Sequence, residues 1–448
     1  MKRRYRKTPR ACKSRTSQRS GKTSRPKVRR IRRQAVEQAA EVQLPLSIEA
    51  LAEFARESLR SFAIEVGLKL AECLLEDEVA RRCGARHERQ TTRSETRHGH
   101  QPGYVTLGGQ KVRVSKPRIR STYPGQGEAE LENYALLQSP DAMPEATLRR
   151  MVNGVSCRRY EQVVDLARTG FGVKKSSVSR GFVRASANEV QQLCERRFDN
   201  ERFVVIFIDG KSYAGETMLV TLGITASGEK KVLGLRQGAT ENATVVTALL
   251  EELRERGVKT DAPTLFVLDG AKALRAAVAR VWGKFGVVQR CQTHKRRNIE
   301  AHLPEKHHDE LSRQLSLAWQ ETDHRQALKL LRTTVQWLRR LSPDAAASLE
   351  EGLEETLTVV RLNVPALLRQ TLSTTNPIES AFSVAESVTH RVKRWRDGDM
   401  RQRWCVAGLL DAESRFKRVK GHKQLATLIQ ALAQAAHGSR LDDQRQRA

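Results

Sequence analysis

Two aspartates in this 448-residue chain each close an apolar run and precede a glycine. Phe203–Ile208 (FVVIFI) stops at Asp209-Gly210, and Leu265–Leu268 (LFVL) stops at Asp269-Gly270. A continuous apolar run of this length predicts a strand buried on both faces, so each acid is expected at a strand's C-terminal end. A carboxylate there has no structural duty, and burying it unpaired is costly. Two such groups repel unless a cation lies between them, and hard divalent ions such as Mg²⁺ (or Mn²⁺) choose carboxylate oxygen. Two ions held this way can activate a water or a 3′-hydroxyl and stabilise the leaving oxygen of a phosphodiester. The competing reading is that Asp-Gly merely marks a turn. It serves well for either site alone and poorly for two sites in one strand order.

The elements around these acids give that order. Thr217–Thr225 and Lys231–Leu235 read as strands after the first, making three antiparallel strands joined by short turns. Asn242–Arg256 is an amphipathic helix. The second Asp-bearing strand is followed by a helix over about Ala271–Trp282 and a fifth strand at Val287-Val288. The order βββαβαβ is a ribonuclease-H-like topology, a mixed sheet with helices packed on it. Residues 295–365 are helical in pattern and read as an inserted all-α domain, after which Ser373–Ser380 opens a helix that ends in the basic run His390–Arg396. Leu425–Ala436 reads as a short C-terminal helix.

Upstream, a helix is expected from Ser47 to about Arg82, and a short hairpin around Gly108-Gly109. Three helices (about Glu145–Asn153, Cys157–Ala167 and one from Lys174), with a turn at Thr169–Gly172, fit a helix-turn-helix. Lys174, Lys175, Arg180 and Arg184 would then face DNA, and a plain helical linker is the alternative. These readings divide the chain into a basic arm (1–46), a helical and hairpin region (47–140), the helix-turn-helix region (141–200), the first part of the core (201–294), the insertion (295–370) and the last core helices (371–448).

Lys and Arg total 80 against 51 Asp and Glu, a net charge of +29. Residues 1–33 hold 16 basic side chains and no acidic one. Such an arm cannot bury a core; it serves either as a solubility tail or as non-specific phosphate contact. The remainder is also basic, and its natural counter-charge is a phosphate backbone. No apolar stretch approaches the roughly 18 residues of a membrane span. Seven scattered cysteines without a CxxC pair are a reduced pattern, so a soluble, cytoplasmic protein is expected.

VVIFIDG, LFVLDG, CQTH and TTNPIES, in that order, resemble the Mutator-type family of bacterial insertion-sequence transposases. These are DDE enzymes with a ribonuclease-H-like core interrupted by a helical insertion. The similarity runs from about residue 50 to 415 and includes GARHERQTTRSETRHGHQPGYV. The resemblance implies that Asp209, Asp269 and Glu379 are the catalytic, metal-binding acids and that Cys291 and His294 form the family's CxxH element. It implies an enzyme that binds the terminal inverted repeats of its element, cleaves a strand with water and joins a 3′-OH to target DNA, without a protein nucleophile. A dimer holding two ends and association with the bacterial nucleoid follow from that reading. Pro377 departs from the family pattern without disturbing the acids, and the arginine-rich N-terminus is an addition to it. Arg391, Lys393 and Arg394 join the DNA-facing residues. A domesticated, non-catalytic DNA-binding regulator is the alternative function, and a structure-specific nuclease on the same fold a third.

Two site residues keep rival readings. Glu379 could close a capping box on a helix capped by Asn376 with Pro377 first, and Glu386, seven residues on, could be the ligand instead. Cys291 and His294 could be half of a zinc site completed by His302, His307 or His308. No second cysteine lies nearby, so the preferred role is to order the chain beside the second Asp.

Overall fold

The computed structural model describes residues 59–447, apart from 87, 89–92, 124, 139–141, 165–169, 214 and 239–241. The basic arm, the expected Ser47 cap and the first turns of its helix lie outside the described residues. No described helix is long and apolar enough to cross a membrane.

The central sheet is built from β5 (Phe203–Tyr213), β6 (Glu216–Thr225), β7 (Lys230–Gln237), β8 (Thr264–Leu268) and β9 (Gly286–Arg290), in spatial order β7-β6-β5-β8-β9. β5 pairs antiparallel with β6 and parallel with β8, and β8 pairs parallel with β9. The first strand runs four residues beyond Asp209, where its apolar run suggests that it stops. Its ladder with β6 continues to Tyr213↔Glu216, while its parallel ladder with β8 ends at Ile208↔Leu268. The apolar run records where the sheet is covered on both sides, not where the strand ends.

Successive residues of β5 feed opposite cores. Val205 and Phe207 pack with α13 (Asn376–Thr389), α14 (Gly398–Ser414) and α15 (Leu425–Arg447). Ile206 and Ile208 pack with α5 (Ala243–Glu255) and α6 (Lys272–Trp282). α5 starts where its sequence says it should, with Asn242 accepting the N–H groups of Thr244 and Val245.

Between β9 and α13 the chain builds a helical bundle from α7 (Gln292–Glu300), α8 (His308–Gln320), α9 (His324–Arg339) and α10 (Pro343–Glu350). The bundle has its own core of Leu311, Leu315, Leu331, Val335, Leu338 and Leu349. The chain rejoins the sheet's core before residue 370. Val359, in α11 (Thr358–Arg361), and Leu368 and Leu372, in α12 (Ala366–Leu372), already pack there. α15 is longer than expected, and the basic run His390–Arg396 is not helical: α13 ends at Thr389, and Val392 and Trp395 turn inward to pack near Trp404.

The N-terminal region forms a second sheet. α1 (Leu59–Cys83) packs on a hairpin of β1 (Glu95–Leu107) and β2 (Gln110–Ser121), burying Val105, Val112, Val114 and Ile119. Gly108 and Gly109 make the two-residue turn, both with positive φ (57° and 79°), as a turn matched to strand twist demands. β3 (Glu128–Ala129) and β4 (Gly170–Phe171) join β2 from its other side, and α2 (Glu132–Leu137) follows β3. The expected helix-turn-helix is altered. α3 (Ala142–Val152) and α4 (Lys175–Glu195) are present, but the described part of the middle helix is one 3-10 turn, Tyr160–Gln162. Gly170 and Phe171 are not a turn; they pair as strand residues with Val112 and Lys111.

Candidate active site

Register alone brings the acids together. In the parallel ladders Ile208 stands beside Leu268, and Leu268 beside Arg290. The next residues are Asp209, Asp269 and Cys291, so these three stand side by side where the parallel pairing ends. The Cys291 N–H donates to the Leu268 carbonyl (2.7 Å), carrying the alignment one step further. The chain leaves β5 by a hairpin to β6 on one side, and β8 is reached on the other side only after β7 and α5.

Each acid is held by its own backbone. Asp209 Oδ1 accepts the N–H of Gly210 (2.9 Å), and Asp269 Oδ1 accepts that of Ala271 (2.9 Å). Gly270 has φ +107°, and any Cβ there would strike the Arg290 guanidinium, so this glycine is required for more than a turn. Asp209 is buried at 7% exposure and forms no ion pair among the described residues. Burial pushes its carboxyl up to about 6, against the opposing pull of His294 and the Gly210 N–H, with Asp269 and Glu379 adding repulsion.

The first turn of α13 is clasped onto this end of the sheet across the inserted bundle. Gln292 N–H donates to the Ser373 carbonyl (2.9 Å), and Thr375 N–H donates to Cys291 Sγ (3.3 Å). The Thr375 hydroxyl donates to Glu379 Oε1 (2.7 Å) and lies 3.2 Å from His294 Nδ1. Thr375, not Asn376, is the residue before the helix. Its N–H is taken by the cysteine sulfur, so the capping box does not form, and Glu379 is left pointing at the cluster. Thr375 was not among the residues that the sequence singled out; its signal was its place two residues before Pro377 in the motif. Glu386 is turned elsewhere, in an ion pair with Lys211 (3.0 Å).

Among the described residues, ligand atoms of Cys291, His294 and Glu379 lie within 4.8 Å of one another. His302, His307 and His308 are not in that group, and His308 is bonded to the carbonyls of Glu300 and Leu303. Hydrogen bonding to Cys291 raises the His294 imidazole to about 9; burial opposes this, and Cys291, Asp209 and Glu379 add to it. Burial raises the Cys291 thiol, but hydrogen bonds from His294 and Thr375 outweigh it and leave the group below its ordinary range. The sulfur therefore acts as a hydrogen-bond hub between β9 and α13. Asp209 and Asp269 are not in the group of close ligand atoms either. They offer hard oxygen donors at neighbouring strand positions, near enough for the Asp269 and Glu379 charges to act on Asp209, and the buried, unpaired Asp209 charge is the one a divalent cation would satisfy.

The basic residues named from the sequence fall on two surfaces. Lys174, Lys175, Arg180 and Arg184 are exposed at the start and along α4, and Arg391, Lys393 and Arg394 are exposed between α13 and α14. None makes an ion pair among the described residues.

Comparison with known proteins agrees along most of the chain. Residues 39–412 match the family described as Transposase, Mutator family. The chain is 32% identical over 202 residues to the transposase for insertion sequence element IST2 of Acidithiobacillus ferrooxidans, a match spanning 44% of this chain and 66% of that protein. It is 28% identical over 319 residues to the transposase for insertion sequence element ISRM5 of Rhizobium meliloti, spanning 68% of this chain and 76% of that one. A third relative, the transposase for insertion sequence element IS406 of Burkholderia multivorans, is 29% identical over 315 residues. With the family matched over so much of its length, this chain belongs to the Mutator family of transposases.

Proposed function

We propose that this protein is a DDE transposase that binds the inverted repeats of its own element and cleaves and joins DNA strands at them. The β5–β9 sheet with its covering helices is read as a ribonuclease-H-like core, and α7–α10 as its all-α insertion. The observation that carries the reading is the register that sets Asp209 and Asp269 side by side, with Glu379 clasped beside them by Thr375. Asp209, Asp269 and Glu379 would hold Mg²⁺ or Mn²⁺, two ions in our reading. Such ions supply charge stabilisation at a phosphoryl group and lower the pKa of a bound hydroxyl.

The chain's own residues do the positioning. The backbone bonds at Gly210 and Ala271 fix the two aspartates, Thr375 orients Glu379, and the His294 imidazolium offsets carboxylate repulsion while the acids stand free. The exposed cations of α4 and of the 391–394 loop would hold duplex DNA, and a homodimer would bring two ends together. This work belongs in the bacterial cytoplasm, on the nucleoid. The presence of all three acids speaks against a non-catalytic regulator.

The test is incubation with Mg²⁺ and duplex DNA carrying the element's ends. Strand cleavage and joining to target DNA are expected from the parent. Asp269→Asn should bind the ends as before and lose at least ~10²-fold in cleavage, the scale of removing one group that stabilises transition-state charge. Specific end binding with no cleavage by the parent in either ion would favour the regulator.

A further inference from the structure

The uncovered face of the N-terminal sheet and one stripe of α4 enclose a cleft of about 510 Å³, remote in sequence from the acids. Its walls include Tyr104, Lys111 and Phe171 from the sheet and Ser177, Arg180 and Arg184 from the helix, and no acidic residue lines it. The alternation of β2 explains the sheet side. Val112 and Val114 point at α1, so Lys111 and Arg113 point away from it, and their cross-strand neighbours on that face are Thr106 and Tyr104. Phe171 flanks Lys111 on the other side and is 39% exposed.

The cations here stand apart from their neighbours on the same strand. Lys116 and Arg118 are tied to Glu128, whereas Lys111, Arg113, Arg180 and Arg184 form no ion pair among the described residues. Lys111 Nζ lies 4.0 Å from the Tyr104 ring centre, and the Arg113 guanidinium 6.0 Å from that of Phe171. The two rings meet edge to face at 6.0 Å. The walls are held in fixed relation: β4 passes into α4 after three residues, and Arg150 donates to both the Gly108 carbonyl (3.1 Å) and the Tyr160 hydroxyl (2.8 Å).

We propose that this cleft, with Arg113 beside it on the same sheet face, is a phosphate clamp, in which Lys111 and Arg113 on the hairpin grip the sugar-phosphate backbone of duplex DNA opposite Arg180 and Arg184 on α4. The inference rests on reading the chain as a DNA-acting enzyme, and it adds the hairpin to the DNA-binding surface. A duplex fits better than an unpaired strand, because the ring faces on which a base would stack already carry the two cations. The rings act as supports that keep the charges forward.

The experiment measures binding of the full chain to a fluorescent duplex carrying the element's end and to a duplex of scrambled sequence, over a range of salt. Lys111→Gln/Arg113→Gln should weaken binding to both duplexes and lower the slope of log K against log salt by ~1.8, at about 0.9 for each phosphate no longer neutralised. Lys111→Arg/Arg113→Lys, which keeps both charges, should restore the parental slope and so exclude a folding defect. A parental slope in the Gln variant would overturn the clamp. If Arg180→Gln/Arg184→Gln still lowers the slope in that case, DNA binding through α4 stands and only the hairpin's part falls. With an unpaired strand of the same sequence as a third probe, loss of single-strand binding alone, with the duplex slope unchanged, would also overturn it, and a parent that binds neither duplex would remove both readings.

Discussion

The two sheets of this protein are covered differently, and the difference divides their labour. The central sheet carries helices on both faces, so β5 is apolar from Phe203 to Ile208 and every residue of that run is buried. Its reactive groups stand where that cover and the parallel pairing stop, Asp209 beside Asp269 and Cys291. The N-terminal sheet is covered by α1 on one face, so β2 alternates, and its free face carries cations and rings. A sheet closed on both sides offers a rigid edge suited to placing carboxylates; a sheet closed on one side offers a surface suited to holding a long polyanion.

The largest effect that would break this contrast concerns the buried acid. Asp209, pushed up to about 6 by burial, is neutral below its unfolded pKa of about 3.9. Its charge therefore costs the metal-free fold stability as pH rises from about 4 to about 6, and the cost is complete above that. Asp209→Asn should abolish cleavage yet stabilise the protein in chelator at pH 8, by at most about 3 kcal/mol, with the gain shrinking towards pH 4.5. Urea unfolding at the two pH values reads it. An Asn variant less stable than its parent at pH 8 would mean that protein groups alone already satisfy the carboxylate.

A smaller effect sharpens the account of the strand ends. Thr375→Val removes the hydroxyl shared by Glu379 and His294 and should slow cleavage about 10–100-fold, as the loss of a partner orienting a metal ligand does. Thr375→Ser should restore most of the rate. Cleavage by Thr375→Val at the parental rate would show that Glu379 needs no such support.

The smallest effect belongs to the ion-paired part of the hairpin. Arg118→Ala loses a half-exposed pair with Glu128 and should cost under about 1 kcal/mol, leaving the salt dependence of DNA binding unchanged. A slope that falls would extend the DNA surface along the whole hairpin.

The same contrast decides what the sequence could reveal. The buried strands were legible because burial on both faces leaves an unbroken apolar run, and the α5 boundary because Asn242 caps it. The end of β5 was not, since Lys211 and Ser212 remain paired with β6 after the apolar cover stops. Gly170-Phe171 reads as a turn by composition, and only its pairing with β2, some 60 positions earlier, makes it a strand. The three candidate acids were marked out by motif. The clasp was not, because Cys291 and Thr375 are 84 residues apart and a threonine ahead of Pro377 reads as an ordinary helix start.

The central claim is that Glu379, and not Glu386, completes the site formed where the parallel pairing of β5, β8 and β9 ends. Strand cleavage by Glu379→Gln and Glu386→Gln, assayed side by side on end-bearing duplex with Mg²⁺, tests it most directly. Glu379→Gln should stay folded, bind DNA like the parent and neither cleave nor join strands, while Glu386→Gln, losing only its pair with Lys211, should keep its activity. An active Glu379→Gln beside an inactive Glu386→Gln would contradict the account.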